Sequence, residues 1–148
     1  MHRDAACASA LRAFLMPAGA TTFTVEGQSM SPFLPSGLHV RLKPPRLPLR
    51  PGGCYAFMYN KRLVVHRLVT LRGRVALFAG DRARRYEKAD VESVVGELDC
   101  RNQWVRSRVI AMTNRIFLHG RRWFPGADRW RSRLVRAAAG TLRQRVVE

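Results

Sequence analysis

Between Thr21 and Leu98 the sequence breaks into six short runs rich in β-branched and aromatic residues: Thr21 to Val25, Leu38 to Leu42, Tyr55 to Tyr59, Leu63 to Leu71, Val75 to Phe78 and Val94 to Leu98. The stretches between them carry prolines, glycines and charged turn residues instead of a helical apolar period. Parallel strands need helical crossovers, so the pattern predicts antiparallel strands in a mainly β barrel or sandwich. The densest break, Lys43 to Gly53, holds Pro44, Pro45, Pro48 and Pro51. Proline has no N–H to give to a ladder, so this stretch reads as a surface loop. Asn60-Lys61 reads as the tip of a hairpin.

Two flanking segments differ in texture. Residues 4–15 predict a short helix with Leu11, Phe14 and Leu15 on its apolar side, closed by Pro17 and Gly19. Residues 1–19 are therefore an N-terminal helix, 20–100 a β core, and 101–148 an Arg-rich extension packed on or beside that core. Within the extension, Trp104 to Ile110 alternates like a last strand, and Asp128 is placed to cap a basic helix. Trp130, Leu134, Ala138, Leu142 and Val146 form a narrow stripe in that helix, flanked by arginines. A chain of 148 residues, 47% hydrophobic, suits one domain with one core.

Lys and Arg number 27 against 10 acids, a formal net charge of +17. Such an excess favours an acidic partner: nucleic acid, anionic lipid or an acidic protein. Residues 101–148 hold 12 Arg against Asp128 and Glu148, and only Lys43, Lys61 and Lys88 are lysines. Arginine suits bidentate phosphate contacts, and the same bias follows from a chain encoded by a GC-rich gene. Trp104, Trp123 and Trp130 interleave with arginines as in base-stacking surfaces, although core and interface packing is the preferred reading. A basic helix of this kind lies on an anionic membrane or packs on the core, and its membrane affinity is expected to be electrostatic. Cys7, Cys54 and Cys100 are widely spaced and odd in number, which argues against a disulfide framework or zinc site and fits a reducing, cytoplasmic setting. No apolar run is long enough to span a bilayer, and no secretion signal is read at the N-terminus.

The candidate chemistry begins at Gly27-Gln28-Ser29-Met30-Ser31-Pro32-Phe33-Leu34, a constrained turn between two strand-like runs. Gly27 permits unusual backbone angles, Pro32 fixes the exit path, and the Ser29 N–H is free to donate to a developing oxyanion. A serine needs a base to become a nucleophile, and Leu63-Val64-Val65-His66-Arg67-Leu68-Val69 supplies one. With period two, Val64, His66 and Leu68 share one face, and Val65, Arg67 and Val69 the other. Lys61 lies five residues before His66, an odd offset that puts it on the opposite face. His2, His39 and His119 have no ordered partner pattern. Cys54 reads as a buried filler.

Taken together, Gly-x-Ser-Met-x-Pro-x-Leu-x-x-Gly, Val-Val-His-Arg, Ala79-Gly80-Asp81 and Val94-Val95-Gly96 resemble the signal peptidase I and LexA-like serine peptidase superfamily over roughly residues 20–98. Most bacterial members place a lysine at the base position; the endoplasmic-reticulum and archaeal signal peptidases use histidine in a similar His-Arg context. The chain resembles the histidine branch without its transmembrane anchor. The resemblance implies peptide-bond cleavage by Ser29 with His66 as general base, on an extended peptide with small residues before the scissile bond, as in processing a leader or signal-like peptide. No cofactor or metal is implied. Gly27, Met30 and Pro32 would shape the oxyanion and substrate side.

The third member is open among Asp81, Glu87 and Asp90, because the family's Asn-rich stretch is replaced by Arg82-Ala83-Arg84-Arg85-Tyr86. Asp81 is favoured, since it alone keeps the Gly-Asp motif, although a turn role or an ion pair with Arg67 suits it equally well. The family's Gly-Asp before Tyr55 appears as Gly53-Cys54. The competing function is an inactive peptidase-fold binding protein that uses its basic tail on an anionic membrane or, less favoured, on nucleic acid. Cleavage of the chain's own Ala18-Gly19 bond is not expected, because Gly19 lies too close to Ser29 in the chain to reach it without unravelling the first strand.

Overall fold

The computed structural model describes residues 2–15, 17, 19–82 and 85–99, with the isolated positions Met112, Ile116 and Arg133. One helix, α1 (His2–Leu15), precedes seven strands: β1 (Thr21–Thr24), β2 (His39–Lys43), β3 (Cys54–Tyr59), β4 (Arg62–Arg72), β5 (Val75–Ala79), β6 (Glu87–Asp90) and β7 (Val94–Leu98). They form one antiparallel sheet in the order β1-β2-β7-β3-β4-β5-β6, curled into a half-barrel. The expected mainly β core with a short N-terminal helix is thus present. The last strand from Trp104, the Asp128 cap and the basic helix lie outside the described residues.

Central position explains why β3 is buried almost throughout, since β7 and β4 cover both its edges. Its side chains alternate as a period of two requires. Cys54, Ala56 and Met58 join Met30, Phe33 and Leu42 in one apolar cluster, whereas Tyr55 and Phe57 join Leu68 and Phe78 in the other. Phe57 and Phe78 stack with centroids 4.0 Å apart. Register shifts at Ala56/Phe57 and Leu68/Thr70 are the bulges at which such a sheet gains twist and curls.

The hairpin joining β3 to β4 turns at Asn60 and Lys61, both with positive φ (49° and 63°), as a two-residue turn matching strand twist requires. Asp4 of α1 accepts the N–H groups of both, at 3.3 and 3.1 Å, and so ties the helix to the hairpin tip. Ala8, Leu11 and Leu15 face the sheet. Phe14, expected on this side, is instead 80% exposed. Ala8, Leu11 and Leu15 follow the i, i+3, i+7 spacing of one helical face, and Phe14 falls off that stripe. No helix among the described residues is long and apolar enough to cross a membrane.

Candidate active site

Ser29 stands in the loop between β1 and β2, whose base is closed by Val25 N–H to Leu38 O and Gly37 N–H to Val25 O, both 2.8 Å. Gly27, with φ of 86°, makes a bend that a side chain would strain. Met30, Phe33 and Leu34 are buried in the core and anchor the loop, while Ser29, Pro32 and Gly27 remain exposed. Leu34 N–H to Met30 O (2.9 Å) and Ser31 N–H to Gln28 O (3.1 Å) tighten the turn around the serine. Apolar anchors inside and a hydroxyl outside fix Ser29 without burying it.

His66 comes from the middle of β4, opposite Tyr55 of β3. It is 5% exposed, shares its face with Val64 and Leu68 as period two predicts, and packs beside Phe57. Its Nε2 lies 2.9 Å from Ser29 Oγ, and its Nδ1 hydrogen-bonds Glu87 Oε2. A carboxylate only accepts, so Nδ1 carries the proton and donates to Glu87. That tautomer, assigned from the bonding network, leaves the Nε2 lone pair to accept the Ser29 O–H.

The acid hydrogen-bonded to His66 is Glu87, whereas Asp81 pairs with Arg67. Both its oxygens accept from Arg67, Nε to Oδ1 and Nη2 to Oδ2, each at 2.9 Å, and both side chains are fully buried. The reason is strand alternation: His66 and Arg67 are neighbours on β4 and point to opposite faces, so an acid held by Arg67 lies on the wrong side of the strand for the imidazole. Arg67 also donates to Gly52 O at 2.9 Å and stacks on Phe33 at 4.6 Å from the ring centroid. It thereby links the Ser29 loop, the Pro-rich loop and the turn after β5. Asp90 is elsewhere again: it caps the 3₁₀ turn Val91–Ser93 through Glu92 N–H and lies 3.6 Å from Arg74.

Glu87 reaches His66 because it opens β6, paired with Phe78, so the chain returns to the end of β5 where the Gly80 turn began. Gly80 itself sits against the dyad. A Cβ there would fall 2.7 Å from Ser29 O and 3.1 Å from both His66 Nε2 and Ser29 Cβ. Arg82 N–H donates to Ser29 O at 2.9 Å. The Gly-Asp-Arg turn therefore divides its work: Gly80 makes room for the serine and histidine, Asp81 holds Arg67, and Arg82 fixes the Ser29 backbone.

A cleft of about 300 Å³ opens beside Ser29, walled by Phe23, Val25, Met30, Leu63, Val64 and Val65. Its two sides are unpaired strand edges among the described residues. β1 pairs only with β2, and β4 meets β5 only from Arg67 onward, leaving Arg62 to His66 paired with β3 alone. Lys61 stays exposed at the hairpin tip, and Cys54 is buried in the core. His39 is exposed beside Thr24; His119 and Cys100 lie outside the described residues. Among the described residues no group of three or more His, Cys, Asp or Glu side chains is placed to hold a metal ion. Comparison with family models, curated proteins and solved structures returned no match.

Proposed function

We propose that the chain is a serine peptidase of the signal peptidase and LexA type, histidine branch, with Ser29 as nucleophile, His66 as general base and Glu87 as the orienting acid. The observation that carries this reading is the unbroken line Ser29 Oγ, His66 Nε2, His66 Nδ1, Glu87 Oε2 at the mouth of an open cleft. A satisfied core histidine would explain the Glu87 bond but not an exposed serine pinned 2.9 Å from the other ring nitrogen. The Gly80 clearance supports it further, because that close approach depends on a missing side chain.

In the reaction, His66 Nε2 takes the Ser29 proton as Oγ bonds to the peptide carbonyl carbon. The Ser29 N–H donates to the oxyanion, and Glu87 balances the imidazolium. His66 then returns the proton to the departing amine, the C–N bond breaks, and water releases the acyl group by the same proton path in reverse. The substrate is an extended peptide that adds its backbone to the free edges of β1 and β4, a mode in which main-chain bonds give affinity and the cleft reads side chains. A leader or signal-like peptide with small residues before the scissile bond suits this site, and we place the reaction on the cytoplasmic side, with the basic tail for peripheral contact with anionic membrane.

A fluorophosphonate probe tests the reading. The full chain is expected to be labelled at Ser29, with labelling lost in Ser29→Ala and lowered by about 10²-fold or more in His66→Ala. Equal labelling of the Ser29→Ala chain, or none of the native one, would overturn the assignment.

A further inference from the structure

Of the eight acids among the described residues, seven accept a hydrogen bond or lie in an ion pair. Asp4 holds the hairpin tip, Asp81 Arg67, Glu87 His66, and Asp90, Glu92, Glu97 and Asp99 meet Arg74, the Arg46 N–H or Lys43. Among the described residues Glu26 alone has no partner, although the chain carries 27 bases against 10 acids. It is also the only charged residue among the described ones that line the cleft beside Ser29. Its backbone position is fixed on both sides, by the two hydrogen bonds of Val25 and by the positive-φ bend at Gly27. A carboxylate so placed is exposed and hydrated when the cleft is open, and any peptide entering the cleft must displace part of that water.

On the peptidase reading given above, we propose that Glu26 is a specificity-determining residue that takes a cationic group of the peptide substrate, either a lysine or arginine side chain or a free α-amino group. The remaining cleft walls are uncharged and largely apolar. They accommodate the stem of a long basic side chain while its head meets the carboxylate, the division of labour such side chains favour. An anionic side chain at the same place meets like charge, and a neutral one strips water from Glu26 without replacing it, so the site discriminates by repulsion as well as attraction. The overall positive charge of the protein works against cationic ligands at long range, which makes a local acid necessary for their capture.

The test measures how peptides protect Ser29 from the fluorophosphonate. Alanine-based hexapeptides carrying one Lys, norleucine or Glu at each position in turn, with free or acetylated N-termini, compete with the probe on the full chain. Lys peptides are expected to protect at concentrations about five- to tenfold below their norleucine counterparts at one position, with Glu peptides weakest. The Lys-to-norleucine ratio should shrink with added salt, collapse toward one in Glu26→Gln and fall below one in Glu26→Lys. A preference that follows the free N-terminus instead of the lysine would assign the carboxylate to the substrate's α-amine. Labelling of Ser29 with equal protection by all three peptides, or a Lys preference that survives Glu26→Lys, would overturn the role of Glu26 while the peptidase reading stands. Absence of labelling would remove both.

Discussion

Glu87 and Asp81 differ in what they hold, and substitution separates them. Glu87→Gln keeps the size of the side chain but can present an N–H₂ to Nδ1, so the imidazole is expected to lose its productive tautomer. Reaction with the probe, or peptide cleavage, should fall by about 10²- to 10⁴-fold with thermal stability little changed. Asp81→Asn leaves Arg67 buried without its counter-charge, and unfolding stability is expected to drop by about 3–5 kcal/mol, read by denaturant titration. A variant pair behaving the other way round would favour Asp81 over Glu87 as the acid of the proposed site. Ser29 and His66 were legible in the sequence because each sits in its own strong local signal, a Gly-x-Ser-Met-x-Pro turn and an imidazole among β-branched residues. Glu87 stood only as one of three candidate acids, behind Asp81. Its contact with His66 depends on the return of β6 to the end of β5, and nothing local to Glu87 sets it above Asp81 or Asp90.

At the scale of elements, the same contrast explains what the sequence conveyed. The six β-branched runs all became strands, with ends within a residue or so of those expected: five bury apolar side chains, and β1 packs the half-buried Phe23 against the core. β6 reads Glu-Lys-Ala-Asp and buries only Ala89. As the edge strand among the described residues, with β5 as its one partner there, it needs only a single inward side chain, so its charged text hides it. Tyr55 of β3 provides an element-level test. Its hydroxyl accepts the Arg50 N–H at 2.9 Å and donates to Arg50 O at 3.4 Å, which fastens the Pro-rich loop to the sheet. Burial pushes this phenol up from 10.0 to about 12. The folded state therefore keeps a proton that the unfolded chain has released, so stability is intact below about pH 10 and falls as pH rises toward 12. Tyr55→Phe is expected to cost about 1 kcal/mol at neutral pH and to flatten that alkaline decline, followed by denaturant midpoints across the range. An unchanged alkaline slope in the variant would show that other groups govern it.

For the whole molecule, the half-barrel brings together residues that no local pattern joins. Curling sets the edge of β1 opposite the unpaired start of β4, which creates the cleft, and the loop closed at Val25 and Leu38 delivers Ser29 to its end. The fold class was legible from the texture of the runs; the sheet order was not, because β7 inserts between β2 and β3 through contacts far apart in sequence. The net charge of +17 acts at this same scale. Screening shortens its reach from about 10 Å at 0.1 M salt to about 3 Å at 1 M. The full chain is therefore expected to sediment with anionic vesicles at low salt, to be released as salt rises, and to ignore zwitterionic vesicles. Replacing Arg131, Arg133, Arg136, Arg143 and Arg145 by Gln should weaken that sedimentation several-fold if the tail carries the contact. Binding that resists salt would point to apolar insertion, and undiminished binding by the Gln variant would move the contact from the tail to the β core.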